Sequence, residues 1–239
     1  MIHELLEENV SKSNALALQQ KYRTKKIQFE KNRDIITDFD CIDYLTGVDI
    51  SYPPEKNPTW GICCAVLWNV KKNKMINATF LRGAIKFPYI PGYLGFREAP
   101  LMAKTILKLK TKPDLIMTDG HGIIHPRNFG EATHLGIALN IPSIGVAKSE
   151  YVGESNWKEL TRLKGKKTPI KRDGKVLGYA ICLRNNSKPV FVSRGFLVSL
   201  KFAVQLVLKV SSDHRQPEPL FLADHLSRSK LKESYHGVN

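Results

Sequence analysis

Two periodicities alternate along the chain. Residues 13 to 32 set Leu16, Leu18, Tyr22 and Ile27 among Lys, Arg and Gln, the spacing of an amphipathic helix. Three apolar, β-branched stretches follow at about 44–51, 59–69 and 75–85, separated by Pro-, Asn- and Lys-rich turns at 53–58 and 70–74. Turns this short join antiparallel neighbours, so a three-stranded meander is predicted. Past an irregular Pro- and Gly-rich segment at 88–95, Glu98 to Lys110 reads as a helix with Leu101, Met102, Ile106 and Leu107 inward. Leu115 to Thr118 reads as a short buried strand, Gly130 to Asn140 as a helix, and Ser143 to Val146 as a strand. Val176 to Arg184 and Pro189 to Ser193 add two strands, and helical spacing at about 199–210 and 219–232 closes the chain.

A meander followed by helix, strand, helix, strand is the element order of an α/β, ribonuclease-H-like fold, a central mixed sheet flanked by helices. With 239 residues, 42% of them hydrophobic, the chain can bury one sizeable core, so residues 1–239 are read as a single domain.

Charge narrows the partners. Lys and Arg outnumber Asp and Glu by 37 to 22, a net +15, which calls for a polyanion and makes nucleic acid the leading candidate. An anionic membrane is the competing explanation, but no apolar run approaches the roughly 20 residues of a spanning helix. The acidic start Met1-Ile-His-Glu-Leu-Leu-Glu-Glu8 differs from a secretory leader, whose first segment is basic, and the expected location is cytoplasmic. No obligate protein partner is evident. Residues 162 to 175 hold seven basic residues in fourteen, either a solvated loop or a phosphate-contacting segment. Cys41, Cys63, Cys64 and Cys182 show no Cys-x-x-Cys spacing and are read as reduced core residues.

The candidate chemistry is carboxylate chemistry. Asp49 lies between Val48 and Ile50 on a strand and points to the opposite face; it is exposed there, caps a turn before Tyr52-Pro-Pro, or is held for function. Asp119 ends a buried strand and opens Gly120-His121-Gly122, where α/β sheets gather ligands, though Asp-Gly is also an ordinary turn. Glu98 begins a helix, a position favoured by the helix dipole with or without function. His121 and His125 have i, i+4 spacing, but Gly122 and Pro126 argue against the helix a zinc pair would need. Neither a dinucleotide fingerprint nor a P-loop is present. Three carboxylates from two strand ends and a helix start suit Mg²⁺, which binds through few carboxylates plus substrate phosphate.

Four blocks carry a resemblance: Gly47-Val-Asp-Ile-Ser-Tyr52; Pro88-Tyr-Ile-Pro-Gly-Tyr-Leu-Gly-Phe-Arg-Glu-Ala-Pro100; Asp119-Gly-His-Gly-Ile-Ile-His-Pro-Arg-Asn-Phe-Gly130 running on to His134-Leu-Gly136; and Ile144-Gly-Val-Ala-Lys-Ser149. In order and spacing they resemble the endonuclease V family over about residues 45 to 226. The resemblance implies a DNA repair endonuclease that cuts one nucleotide beyond a deaminated base, above all deoxyinosine, on its 3′ side. It also implies Mg²⁺, with Mn²⁺ as substitute, held by Asp49 and Asp119 with Glu98 completing the cluster. His125 would assist the attacking water or the phosphate, Lys148 would offset charge at the scissile phosphate, and Tyr89 would be a wedge beside the extruded base. Gly120 and Gly122 would let the backbone approach that base. The implied partner is single- or double-stranded DNA containing deoxyinosine, with inosine-containing RNA as an alternative. Two departures stand in the last third: Ser193-Arg-Gly-Phe196, where the family shows a Ser-Pro-Gly-His-like segment, and Pro217-Glu-Pro-Leu-Phe221, where it shows Arg in place of Phe221. Asp224 matches a family carboxylate near the metal, or is a helix-surface aspartate. The competing functions are another ribonuclease-H-like nuclease acting on branched or hybrid substrates and a non-enzymatic nucleic-acid-binding module.

Overall fold

The structure, a computed structural model, describes residues 1–236. Its strands are β1 (Tyr44–Ser51), β2 (Trp60–Asn69), β3 (Lys74–Ala84), β4 (Leu115–Thr118), β5 (Ser143–Ala147), β6 (Lys167–Arg172), β7 (Lys175–Ile181) and β8 (Val190–Phe196). All eight form one sheet in the order β3-β2-β1-β4-β5-β8-β7-β6. β1, β4 and β5 run parallel at the centre, and the other pairings are antiparallel, so the sheet is mixed as expected. The helices are α1 (Lys12–Lys31), α2 (Leu94–Ile106), α3 (Glu131–Leu139), α4 (Leu200–Lys209) and α5 (Glu218–His236).

Alternation along the central strands divides the core. Leu45, Met117, Ile144 and Val192 pack against Phe202 and Leu206 of α4 and Leu220 of α5. Val48, Ile50 and Ile116 pack on the other face against Met102 and Ile106 of α2 and Leu135 and Leu139 of α3. Burial on both faces is why β1, β4 and β5 read as nearly continuous apolar runs. A buried hydrogen bond of 2.7 Å between the hydroxyls of Ser51 and Ser227 ties α5 to β1.

Four expectations are corrected. Helix α2 begins at Leu94, not Glu98, because the buried Arg97 guanidinium donates to the carbonyls of Phe87 (2.8 Å) and Pro58 (3.0 Å) and draws the preceding turn into the fold. Glu98 is therefore the fifth helical residue, past the first-turn amides where the dipole acts. The helix ends at Ile106, which leaves Leu107 60% exposed rather than inward. The basic run contains a strand, β6, whose charged and Pro169-bearing sequence suits a sheet edge. Cys41 is exposed; Cys63, Cys64 and Cys182 are buried, and all four are free thiols.

Among the described residues, no helix is long and apolar enough to cross a membrane.

Candidate active site

Two of the three parallel strands, β1 and β4, deliver the two aspartates. Asp49 is carried by β1, and Asp119 follows Thr118, the last residue of β4, whose register partner on β1 is Val48. Both carboxylates therefore leave adjacent strands at the same end. Glu98 approaches from α2 and accepts a hydrogen bond of 2.7 Å from the Tyr52 hydroxyl. Asp224 approaches from α5, where Arg228 pairs with it at 2.9 Å. The Lys148 ammonium, just past β5, forms an ion pair with Asp119.

Electrostatics shows how closely these groups meet. Burial, then the charges of Asp119 and Glu98, push the Asp49 carboxyl well above its ordinary range, with Lys148 opposing and Asp224 adding to the effect. Burial also lifts Asp119 to about 6, although Lys148 pulls it down; Asp224 and Glu98 raise it. Lys148 is partly desolvated, yet Asp119, Asp49 and Asp224 together raise its ammonium above the usual value. Asp49, Glu98, Asp119, Lys148 and Asp224, five positions from five separate elements or loops, thus form one electrostatic unit.

Two residues around this unit carry little signal in the sequence. Tyr52 orients Glu98; it stands inside the Gly47–Tyr52 block but has no acid–base signature of its own. Glu131, the first residue of α3, is 3% exposed, and neither carboxylate oxygen makes a well-formed hydrogen bond, although the Glu98 carboxyl and the Thr118 hydroxyl lie beside it. Burial, then the neighbouring Glu98, drives its carboxyl well above the ordinary range. In sequence it looks like any acid at a helix start, and nothing there marks it as a site residue.

Beside the acids lies a cavity of about 280 Å³, lined by Tyr89, Gly120, His121, Lys148 and Tyr151 among others, and reaching Asp119 and Glu131. Tyr89 is 70% exposed, so it is not a core aromatic. His121 stacks on Tyr151 with ring centroids 5.7 Å apart.

The remaining site candidates have inward commitments. His125 is buried; its Nδ1 accepts from the amides of Arg127 (3.2 Å) and Phe129 (3.4 Å), and its Nε2 is left to donate to the Gly92 carbonyl at 3.1 Å. Burial and then Arg127 lower its pKa to about 4. With both nitrogens engaged, His125 pins the Gly92 turn to the 119–130 loop, and it also forms part of the cavity wall. That loop is not helical, which removes the geometry of a His121–His125 zinc pair. Gly122 does not line the cavity. Its amide is taken by Ser193 Oγ at 2.9 Å, and a Cβ there would stand 2.1 Å from the Arg194 carbonyl oxygen, so its missing side chain serves packing against β8. Gly120 does line the cavity, and a Cβ on it would meet Glu131 Oε2 at 2.2 Å. Phe196 is buried edge-on against Phe29, and Phe221 is stacked between His214 and His225.

Among the described residues, no three His, Cys, Asp or Glu side chains are already drawn into a coordinating cluster. The donor chemistry nonetheless fits a hard divalent cation. The acidic donors are carboxylates, mutual repulsion loads the site with unfavourable charge, and the buried oxygens of Glu131 and Thr118 make no well-formed hydrogen bonds.

The family model for endonuclease V matches residues 22–225. The chain is 39% identical over 216 residues to the endonuclease V of Dictyoglomus turgidum, covering 90% of this chain and 92% of that one. Its fold superposes on the crystal structure of endonuclease V from Streptomyces avermitilis with a TM-score of 0.83 at 32% identity, covering 95% and 96% of the two chains. It also superposes on Ciona intestinalis endonuclease V in complex with a DNA 23mer containing an inosine followed by a ribo-adenosine, with a TM-score of 0.81 at 28% identity over 94% and 99% of the chains. Sequence and fold agree over nearly the whole length, and the chain belongs to the endonuclease V family.

Proposed function

We propose that this protein, acting as one domain, hydrolyses the phosphodiester one nucleotide beyond a deoxyinosine, on its 3′ side, with Mg²⁺ as the preferred metal and Mn²⁺ as substitute. Family membership makes it a divalent-metal-dependent DNA repair endonuclease for deaminated bases; the cut position, the metal and the residue roles are the proposal. The observation that carries it is the meeting of Asp49, Glu98, Asp119 and Lys148 beside a cavity whose wall includes the exposed Tyr89.

Asp49 and Asp119, with Glu98, would hold the cation, and Asp224 would add charge from α5. When bound, a divalent cation lowers the pKa of water and neutralises phosphodiester charge. Lys148, kept cationic by its acidic neighbours, offsets charge developing on the scissile phosphate. The extruded base would enter the cavity along Gly120 and against the His121–Tyr151 stack, while the Tyr89 ring fills the vacated space in the duplex. Inosine-containing RNA is the second substrate class, favoured by the ribo-adenosine that follows inosine in the Ciona complex. The cytoplasm is the proposed location, supported by four free thiols, three of them buried.

The test is to incubate end-labelled single- and double-stranded oligonucleotides, with and without one inosine, in Mg²⁺ and in chelator. Scission at the second phosphodiester 3′ of inosine, lost in chelator, is expected. Lesion-independent or chelator-resistant cutting would overturn the reading.

A further inference from the structure

Glu131 is out of keeping with its surroundings. A carboxylate opening a helix ordinarily accepts first-turn amides or faces water. Glu131 does neither: it is 3% exposed, and its oxygens make no well-formed hydrogen bond, their polar neighbours being the Glu98 carboxyl and the Thr118 hydroxyl. A buried, unpaired carboxyl group is costly, and an apolar side chain of similar volume at the same place would avoid that cost.

Its neighbours indicate what offsets the cost. Glu131 Oε2 lies under Gly120, the residue after Asp119, where a Cβ would approach it to 2.2 Å. Glu98 and Asp119 are the carboxylates that act on it most strongly. The Thr118 hydroxyl, on the β4 residue preceding Asp119, is buried beside Glu131 and likewise makes no well-formed hydrogen bond. Unsatisfied oxygens from α3 and β4 thus face the same acids that the proposed function assigns to the metal. Mg²⁺ keeps several of its waters when protein-bound, and those waters are donors that such oxygens can accept.

We infer that Glu131, together with Glu98 and Asp119, holds the hydrated divalent cation from the α3 side of the site. This rests on the proposed metal role of Asp119 and Glu98, and adds a carboxylate from a helix that otherwise contributes none. Partners of metal-bound groups typically carry about 10- to 100-fold in metal affinity, and Glu131 is expected to fall in that range.

The experiment titrates Mn²⁺ alone into the full chain, without nucleic acid, by electron paramagnetic resonance, and records melting in chelator. Glu131→Gln and Glu131→Leu should each weaken Mn²⁺ binding about tenfold or more, while Glu131→Leu melts in chelator at or above the wild-type temperature. Gln mimics a protonated acid in shape and hydrogen-bonding capacity, so Glu131→Gln alone decides the matter if the Leu variant fails to fold. Wild-type affinity in Glu131→Gln overturns the inference, provided Asp119→Ala has lost Mn²⁺ binding. An Asp119→Ala variant that binds as tightly as wild type instead overturns the underlying metal assignment, and the inference with it.

Discussion

The Lys148 ammonium rests on the Asp119 carboxylate, and each group sets the protonation of the other. Lys148 lines the cavity, so the pair links the acidic cluster to the place proposed for the extruded base.

That link gives a pH dependence. The Asp119 carboxyl is raised from 3.8 to about 6. Between those values the metal-free folded protein holds a proton that the unfolded chain has released. The contribution of Asp119 to stability is therefore full below 3.8 and is lost as pH rises through about 6. Metal binding needs the ionised form and should strengthen over the same window. Because Lys148 lowers the Asp119 pKa, Lys148→Met should move the midpoint of Mn²⁺ affinity against pH upward and slow cleavage at pH 7 by about 100-fold. Metal titrations and single-turnover rates from pH 5 to 8 check this, and an unmoved midpoint would contradict the coupling.

Asp49→Ala and Asp119→Ala should each abolish cleavage in Mg²⁺ while binding to inosine-containing DNA stays measurable, because affinity for a polyanion comes chiefly from the +15 surface. Gel-shift and cleavage assays on the same preparations separate the two properties. A near wild-type rate in either variant would remove that residue from the metal site.

The elements were legible where one period dominated. Strand β1 and the parallel centre of the sheet stand within a residue or so of where the apolar runs place them, since burial on both faces leaves no other reading. The start of α2 was hidden because Arg97 looks like a surface residue until the Phe87 and Pro58 carbonyls are placed around it. Strand β6 was hidden because an edge strand needs little apolar sequence. At the site, the motifs carried Asp49, Glu98, Asp119 and Lys148, whereas Glu131 depends on which carboxylates the fold brings to the first turn of α3. The contacts of His125 were not legible, because the carbonyl and amides that engage its ring belong to a distant turn and to its own loop.

The basic run offers a test of where nucleic acid lies. Lys166 and Lys167 are exposed at the start of edge strand β6. If they neutralise phosphates, replacing both with Gln should flatten the plot of log affinity against log salt on duplex DNA by about 0.9 for each phosphate left without its lysine. Fluorescence anisotropy with undamaged duplex between about 50 and 200 mM salt reads that slope directly. An unchanged slope would assign β6 to the solvated side of the molecule.

Tyr89 carries the sharpest distinction between binding a lesion and building a fold. It stands between Pro88 and the Ile90-Pro91-Gly92 turn, and the residue is 70% exposed at the cavity wall, so truncating it leaves almost no void. Tyr89→Ala should accordingly change stability by no more than about 0.5 kcal/mol, the range of ordinary surface substitutions. Extruding a paired base costs a few kcal/mol of stacking and pairing, and an aromatic ring in the vacated space recovers part of it. The variant should therefore lose about 10-fold or more in cleavage of duplex inosine, from roughly 1.4 kcal/mol or more of lost stacking at the base site. In single-stranded substrate, where little stacking has to be broken, the loss should shrink severalfold. Tyr89→Phe keeps the ring and should retain most of the duplex rate. Melting curves beside duplex and single-strand rates decide the matter: an equal loss on both substrates, or a large drop in melting temperature, would assign Tyr89 to the scaffold and leave the wedge to another residue.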